Sequence, residues 1–354
     1  MLHLGRVGAV SVIVLAVGCG SAAPPIASTQ RPEATAGPTP LATAIRGLVA
    51  AFGGTAGIVV AFPGVPEPVY AADADTPFIA ASLYKLAVLL RVESLVESGT
   101  LSYDDTITIA DADVTIDGSN EPAGTVLTID EALEEMITYS DNGSALALLR
   151  VFGAPATNAR ILSSGITGFH VAESADEDNV VTARALGTFF DQLATRRLVS
   201  PAASDRMLAR LQRQTINDRL PRDLPAGVAV AHKTGDLIGF VHDAGLIQAA
   251  DGPRIAVVLT AAGTEADADD LIATVGALVY SAVLTRPAAA RVDPLPAAQS
   301  PWSRFGIGAA ALLAIGGLSA LAVLVTAGRS GRRQARRRSG PLTVWSPERG
   351  RRRR

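Results

Sequence analysis

Of the 31 lysine and arginine residues in this 354-residue chain only two are lysine, Lys85 and Lys233, and each stands among residues able to do chemistry. Arginine keeps its proton in any protein environment, whereas lysine can be tuned into a base or used as a compact point charge. Lys85 follows Ser82 by three residues in "FIAASLYKLAVLL", near the start of an apolar run with helical spacing. At i and i+3 on a helix two side chains share a face, about 5–6 Å apart at Cβ. The helix N-terminus favours an alkoxide at Ser82 and loss of the Lys85 proton. A serine beside a desolvated amine is an activated nucleophile. Alone, Ser-x-x-Lys is a weak signal, expected about once by chance in a chain of this size, and it reads equally as a helix cap followed by a surface lysine.

Two further stretches narrow the reading. "MITYSDNGSALALL" places Ser140, Asp141 and Asn142 in a break between helical patterns, and "AHKTGD" places Lys233, Thr234 and Gly235 at a strand end. In this order Ser-x-x-Lys, Ser-Asp-Asn and Lys-Thr-Gly resemble the motif set of class A β-lactamases and penicillin-binding proteins. Residues from about 41 to 284 thus resemble a class A β-lactamase-type serine hydrolase domain. The resemblance implies that Ser82 attacks a carbonyl, Lys85 takes its proton, and Ser140 relays a proton to the departing nitrogen with help from the Lys233 charge. It implies that Asn142 holds Lys85 and the substrate amide, and that Thr234 binds the substrate carboxylate. It further implies that Gly235 leaves the strand edge bare for an extended acyl-amide and that the backbone N–H groups of Ser82 and Asp236 form the oxyanion hole. Asp141 reads as structural. A β-lactam or peptidoglycan-like small-molecule substrate, a monomer and no cofactor are the expectations that follow.

The pattern departs from the better-known enzymes in one respect. Their E-x-x-L-N loop carries the glutamate that directs water onto the acyl-enzyme, but the corresponding "GFHVAESADEDNVVTARAL" is shorter and lacks the motif. Glu173, Asp176, Glu177 and Asp178 are present, although four acids in one loop read first as solvated surface. Slow deacylation is therefore expected. His242, nine positions after Lys233, falls where relatives often have a carboxylate-seating arginine; a cationic or donor imidazole would serve that purpose, while a structural pairing with Asp243 is the alternative. His232 should point to the opposite strand face from Lys233. The four histidines form no cluster with metal-ligand spacing, so no metal site is expected.

The elements that must position these residues follow from periodicity. "LATAIRGLVAAF" has helical spacing, "GIVVAFPG" and "EPVYAAD" read as strands, and helical patterns run from Leu83 to about Arg213. "GVAVAHKTG", "VHDAGLIQA" and "RIAVVLTAAG" read as a three-strand meander, closed by the amphipathic helix "DADDLIATVGALVYSAVL". The expected fold is α/β (α+β): an antiparallel sheet of about five strands flanked by helices, with an inserted all-helical subdomain and a crevice between the two parts.

The ends read differently. Residues 1–19 have the shape of a signal peptide, and "LAVGCGS" resembles a lipobox, which implies lipidation of Cys19, the only cysteine. Residues 20–40 and 287–304 read as linkers around a catalytic domain at 41–286. Phe305 to Ala327 is 23 uncharged residues, which at about 1.5 Å each crosses a hydrocarbon core of about 30 Å. Eleven arginines lie beyond it, so the tail 328–354 is expected in the cytoplasm and the domain on the extracellular or periplasmic side of the cell membrane. From Leu41 to Arg286 there are 16 basic and 31 acidic residues, a balance that argues against nucleic acid as a partner.

Overall fold

A computed structural model describes residues 39–115, 117–288 and 292–297. The signal segment, Cys19, the 305–327 span and the Arg-rich tail lie outside the described residues, among which no helix is long and apolar enough to cross a membrane. Helix α1 (Pro40–Ala51) leads into strands β1 (Thr55–Ala61) and β2 (Tyr70–Ala72). Strand β3 (Phe78–Ile79) and a 3₁₀ turn (Ala81–Tyr84) precede α2 (Lys85–Glu97). Then follow β4 (Thr106–Thr108), β5 (Val126–Thr128), α3 (Ile129–Thr138), α4 (Asn142–Phe152), α5 (Ala154–Ser163), β6 (Phe169–His170), β7 (Val180–Val181), α6 (Ala183–Ala194) and α7 (Pro201–Leu211). Strands β8 (Val230–Leu237), β9 (Phe240–Ala249) and β10 (Gly252–Ala261) and helix α8 (Glu265–Ser281) close the chain.

The main sheet has the order β2-β1-β10-β9-β8, antiparallel throughout, so the first and last strands of the sequence meet at β1 and β10 and enclose the helical block. Strand alternation explains how it is covered on both faces. Ile58 and Val60 of β1, with Ala256 and Val258 of β10, face the side where Ile45 of α1 and Leu271, Ile272, Val275 and Val279 of α8 pack. Val59, Ile255, Val257 and Leu259 face the other side, in one cluster with Phe189 and Phe190 of α6 and with α2. Each such fully buried aliphatic side chain contributes about 1.5–3 kcal/mol. Helix α2 is apolar almost all round, as a helix enclosed on every side must be; its buried residues include Lys85 and Glu93.

Two features differ from the sequence reading. The inserted block is not all-helical, because β4 pairs with β5 and β7 pairs with both β3 and β6. These strands of two or three residues are too short to show alternation. The linker expected from 287 also folds back onto the domain: Leu295 is buried and its N–H donates to Gln248 Oε1 (3.0 Å), while Pro294 and Pro296 carbonyls accept from Arg196 and Gln212.

Candidate active site

Ser82 lies in the 3₁₀ turn rather than in the helix itself, and α2 begins at Lys85. The turn is set by Ala81, whose φ of 45° is left-handed, a conformation costing a non-glycine residue about 1–2 kcal/mol. A hydrogen bond from Ala80 N–H to the Asn179 carbonyl (2.7 Å) ties the turn to the 170–179 loop. Ser140 is also left-handed, with φ 59°. It follows the C-terminus of α3, and Asp141 starts α4 by accepting from Ser144 N–H (2.6 Å) while its other oxygen accepts from Asn120 N–H (2.6 Å). The left-handed turn at Ser140 sends both its carbonyl and its hydroxyl inward, which a continuous helix would not do.

The two lysines converge on that hydroxyl. Lys85 Nζ, from α2, lies 3.3 Å from Ser140 Oγ, and Lys233 Nζ, from β8, lies 2.9 Å from it. Lys85 Nζ also meets Ser82 Oγ at 3.1 Å, the Ser140 carbonyl at 2.5 Å and Asn142 Oδ1 at 2.6 Å. The amide orientation of Asn142 is fixed, because its Nδ2 donates to the Asp117 carbonyl (2.6 Å). Ser140 O and Asn142 Oδ1 are pure acceptors, so an uncharged Lys85 gives its two protons to them and turns its lone pair toward Ser82 Oγ. Burial pushes the Lys85 ammonium from 10.5 down to about 7, against the opposing pull of Asp141. Lys233, fully enclosed, is also pushed well below 10.5, first by burial and then by the Lys85 charge, with Asp243 and Asp236 pulling back. Proximity of two amines thus favours at most one full charge between them.

Strand β8 is the open edge of the sheet and runs against the Ser82 turn. A Cβ at Gly235 would lie 3.1 Å from the Ala80 carbonyl, 3.2 Å from Leu83 Cγ and 3.3 Å from His242 Cδ2. The glycine therefore serves the close approach of strand to turn, besides leaving the edge bare. Thr234 is almost enclosed, and among the described residues its hydroxyl has no hydrogen-bond partner in the protein. Asp236 is half-exposed, and its carboxylate holds Arg219, a residue that carries no motif and went unnoticed in the sequence.

His242 is a correction. It is fully buried, its Nε2–H donates to the Ile79 carbonyl (2.8 Å) and its Nδ1 accepts from Thr260 N–H (3.1 Å). Both nitrogens are spent in a neutral ring that fastens β9 to β3 and β10. The ring presents no cation to a substrate. Nor is Asp243 its partner: Asp243 pairs with His232 Nδ1 (2.9 Å) on the opposite strand face. Burial pushes the His242 imidazole down to about 4, outweighing the hydrogen bond to Ile79. The unfolded chain takes up this proton near pH 6.5 and the folded protein only near 4. Above pH 6.5 the group is therefore without effect, and stability is lost as pH falls from there toward 4. Urea unfolding at pH 7 and pH 4.5 should show wild type losing about 2–3 kcal/mol more than His242→Gln; equal losses would mean the ring is protonated in the folded state.

Glu173, Asp176, Glu177 and Asp178 are all exposed, and none hydrogen-bonds to Ser82 or Lys85. Glu173 accepts from Asn158 Nδ2 (2.9 Å), and Glu177 accepts from Glu173 N–H (3.0 Å) and pairs with His170.

Residues 40–283 match the beta-lactamase enzyme family. The chain is 27% identical over 186 residues to a beta-lactamase of Streptomyces fradiae, a match covering 48% of this chain and 60% of that enzyme. It thus spans less than two thirds of that relative's length. The fold is similar to the crystal structure of a beta-lactamase from Sphaerobacter thermophilus, with a TM-score of 0.62 and 26% identity over 67% of this chain and 94% of that one. It is also similar to a mutant of PBP-A solved as an acyl-enzyme complex with penicillin G, with a TM-score of 0.62 and 25% identity over 68% of this chain and 94% of that one.

Proposed function

The chain belongs to the beta-lactamase enzyme family, and from that premise we propose that it is a class A-type serine hydrolase which opens β-lactams through an ester on Ser82. The observation that carries this reading is Lys85 Nζ held 3.1 Å from Ser82 Oγ between two pure acceptors, the Ser140 carbonyl and Asn142 Oδ1, with Lys233 facing it across Ser140. In the first half-reaction the Ser82 oxygen forms a bond to the carbonyl carbon and its proton passes to Lys85. The carbon–nitrogen bond breaks, and the nitrogen takes a proton from Ser140, which is resupplied from the lysine pair. Water then cleaves the ester and restores the Ser82 hydroxyl. Backbone N–H groups at Ser82 and Asp236 receive the developing oxyanion.

Hydrolysis of the ester is the slow half. The four acids of the 170–179 loop are exposed, and none of them hydrogen-bonds to Ser82 or Lys85, so none of them is held where it would direct water onto the ester. That same observation favours the second reading, a penicillin-binding or D-Ala-D-Ala peptidase-like envelope protein without efficient turnover. In either case we place the domain outside the cell membrane, held by the 305–327 span and by lipid on Cys19; the uncharged run between arginines supports this.

Intact mass followed over time after addition of benzylpenicillin tests the proposal. The expected result is a gain equal to the whole penicillin, since ring opening expels no atom, located on the peptide containing Ser82 and lost slowly. Loss matched by released penicilloate supports the hydrolase; a lasting adduct supports the second reading. No adduct and no consumption of penicillin would sink both.

A further inference from the structure

Asp236 stands two residues beyond Thr234, on the same face of β8. Both its carboxylate oxygens lie 2.6 Å from Arg219 Nη2. Arg219 is itself almost wholly buried, at 2% exposure, while Asp236 is 49% exposed. The other guanidinium donors are also taken: Nε by Asp269 (2.9 Å), and Nη1 by the Gly235 and His242 carbonyls (3.4 and 3.3 Å). Asp218 adds a third carboxylate 3.8 Å from Nε. One cation is thus surrounded by three carboxylates, and no N–H of it remains for a ligand. Lys233, next to Thr234, is fully buried with its Nζ given to Ser140 Oγ (2.9 Å) and the Thr234 carbonyl (3.0 Å), and His242 is a neutral ring with both nitrogens engaged.

Resting on the acyl-enzyme reading above, we propose that Asp236 makes this end of the cleft select a substrate ending in an uncharged amide, a carboxamide or a continuing peptide bond, over one ending in a carboxylate. The chemistry is complementary on both sides. The unpartnered Thr234 hydroxyl donates to the amide carbonyl, and the exposed Asp236 oxygens accept from the amide N–H. A carboxylate placed there meets like charge with its natural counter-ion already occupied, an arrangement that costs binding and enforces specificity by repulsion. Asp236 is in this sense a specificity-determining residue. Its backbone N–H serves both substrates alike, so the ratio between them isolates the side chain.

The test uses two thioesters identical except for a carboxylate or a carboxamide on the leaving thiol, with kcat/KM measured for each on wild type, Asp236→Asn and Asp236→Glu. Wild type should prefer the carboxamide by about tenfold or more. Asp236→Asn, which frees Arg219 and removes the repulsion, should move the ratio toward the carboxylate by about tenfold or more, chiefly through KM. Asp236→Glu should keep the wild-type preference, which a merely structural role would not predict. A wild-type preference for the carboxylate, or an unchanged ratio in a folded Asp236→Asn, overturns this proposal alone. Failure of both thioesters and of penicillin to acylate Ser82 overturns the serine reading, and this proposal with it.

Discussion

Replacing Lys85 by arginine is expected to slow acylation of Ser82 about a thousandfold or more, the upper part of what a positioned general base contributes. The effect comes from protonation. Burial holds the Lys85 amine near 7, so a substantial fraction is uncharged at neutral pH, whereas a guanidinium never gives up its proton. Lys85→Met, which keeps the apolar stem and removes the nitrogen, should lose as much and guards against a folding defect in the arginine variant. Ser82→Ala should carry no adduct at all. In wild type the acylation rate should rise with pH through about 7, because the deprotonated amine is the active form. The measurement is the first-order rate of mass gain with benzylpenicillin from pH 5 to 9. A Lys85→Arg rate within about tenfold of wild type would remove Lys85 as the base.

The largest effect on stability is expected from Glu134→Ala, a loss of about 3–5 kcal/mol. Glu134 is buried on α3 and accepts from Arg213 Nε (2.7 Å) and Nη2 (2.6 Å), from Arg210 Nη1 (2.8 Å) and from Thr138 Oγ1 (3.0 Å). Removing the carboxylate takes from Arg213 the carboxylate it pairs with and leaves the buried Arg210 with Asp130 alone, whereas replacing the whole cluster by apolar groups costs little. Helix α3 also ends at the Ser140 turn, and Gln214 and Thr215 pin its last carbonyls at Ile137 and Thr138. The loss should therefore reach the site as well, with slower acylation in the folded fraction. Urea midpoints check the first part, and Glu134→Gln should fall between wild type and alanine. A change under about 1 kcal/mol would show that solvent enters and rescues the arginines.

Much of the framework was legible in the residues themselves. The β-branched runs read as strands became β1, β8, β9 and β10, and the amphipathic stretch after them became α8. Strands β3 to β7 were invisible because two or three residues carry no period. Arg219 was invisible for another reason: its partners Asp236 and Asp269 lie 17 and 50 positions away. His242 was misjudged because its position on a strand says nothing about whether the Ile79 carbonyl waits above it.

The types and spacings of Ser82, Lys85, Ser140, Asn142, Lys233 and Thr234 determined by themselves which atoms can do chemistry, since nucleophile, amine and hydroxyl are properties of single side chains. Only the tertiary structure decided their charge states and orientation. The Lys85 lone pair, the neutral His242 ring and the occupied Arg219 guanidinium all depend on desolvation and on acceptors from distant segments. Those quantities exist only once the chain has excluded water from the cleft.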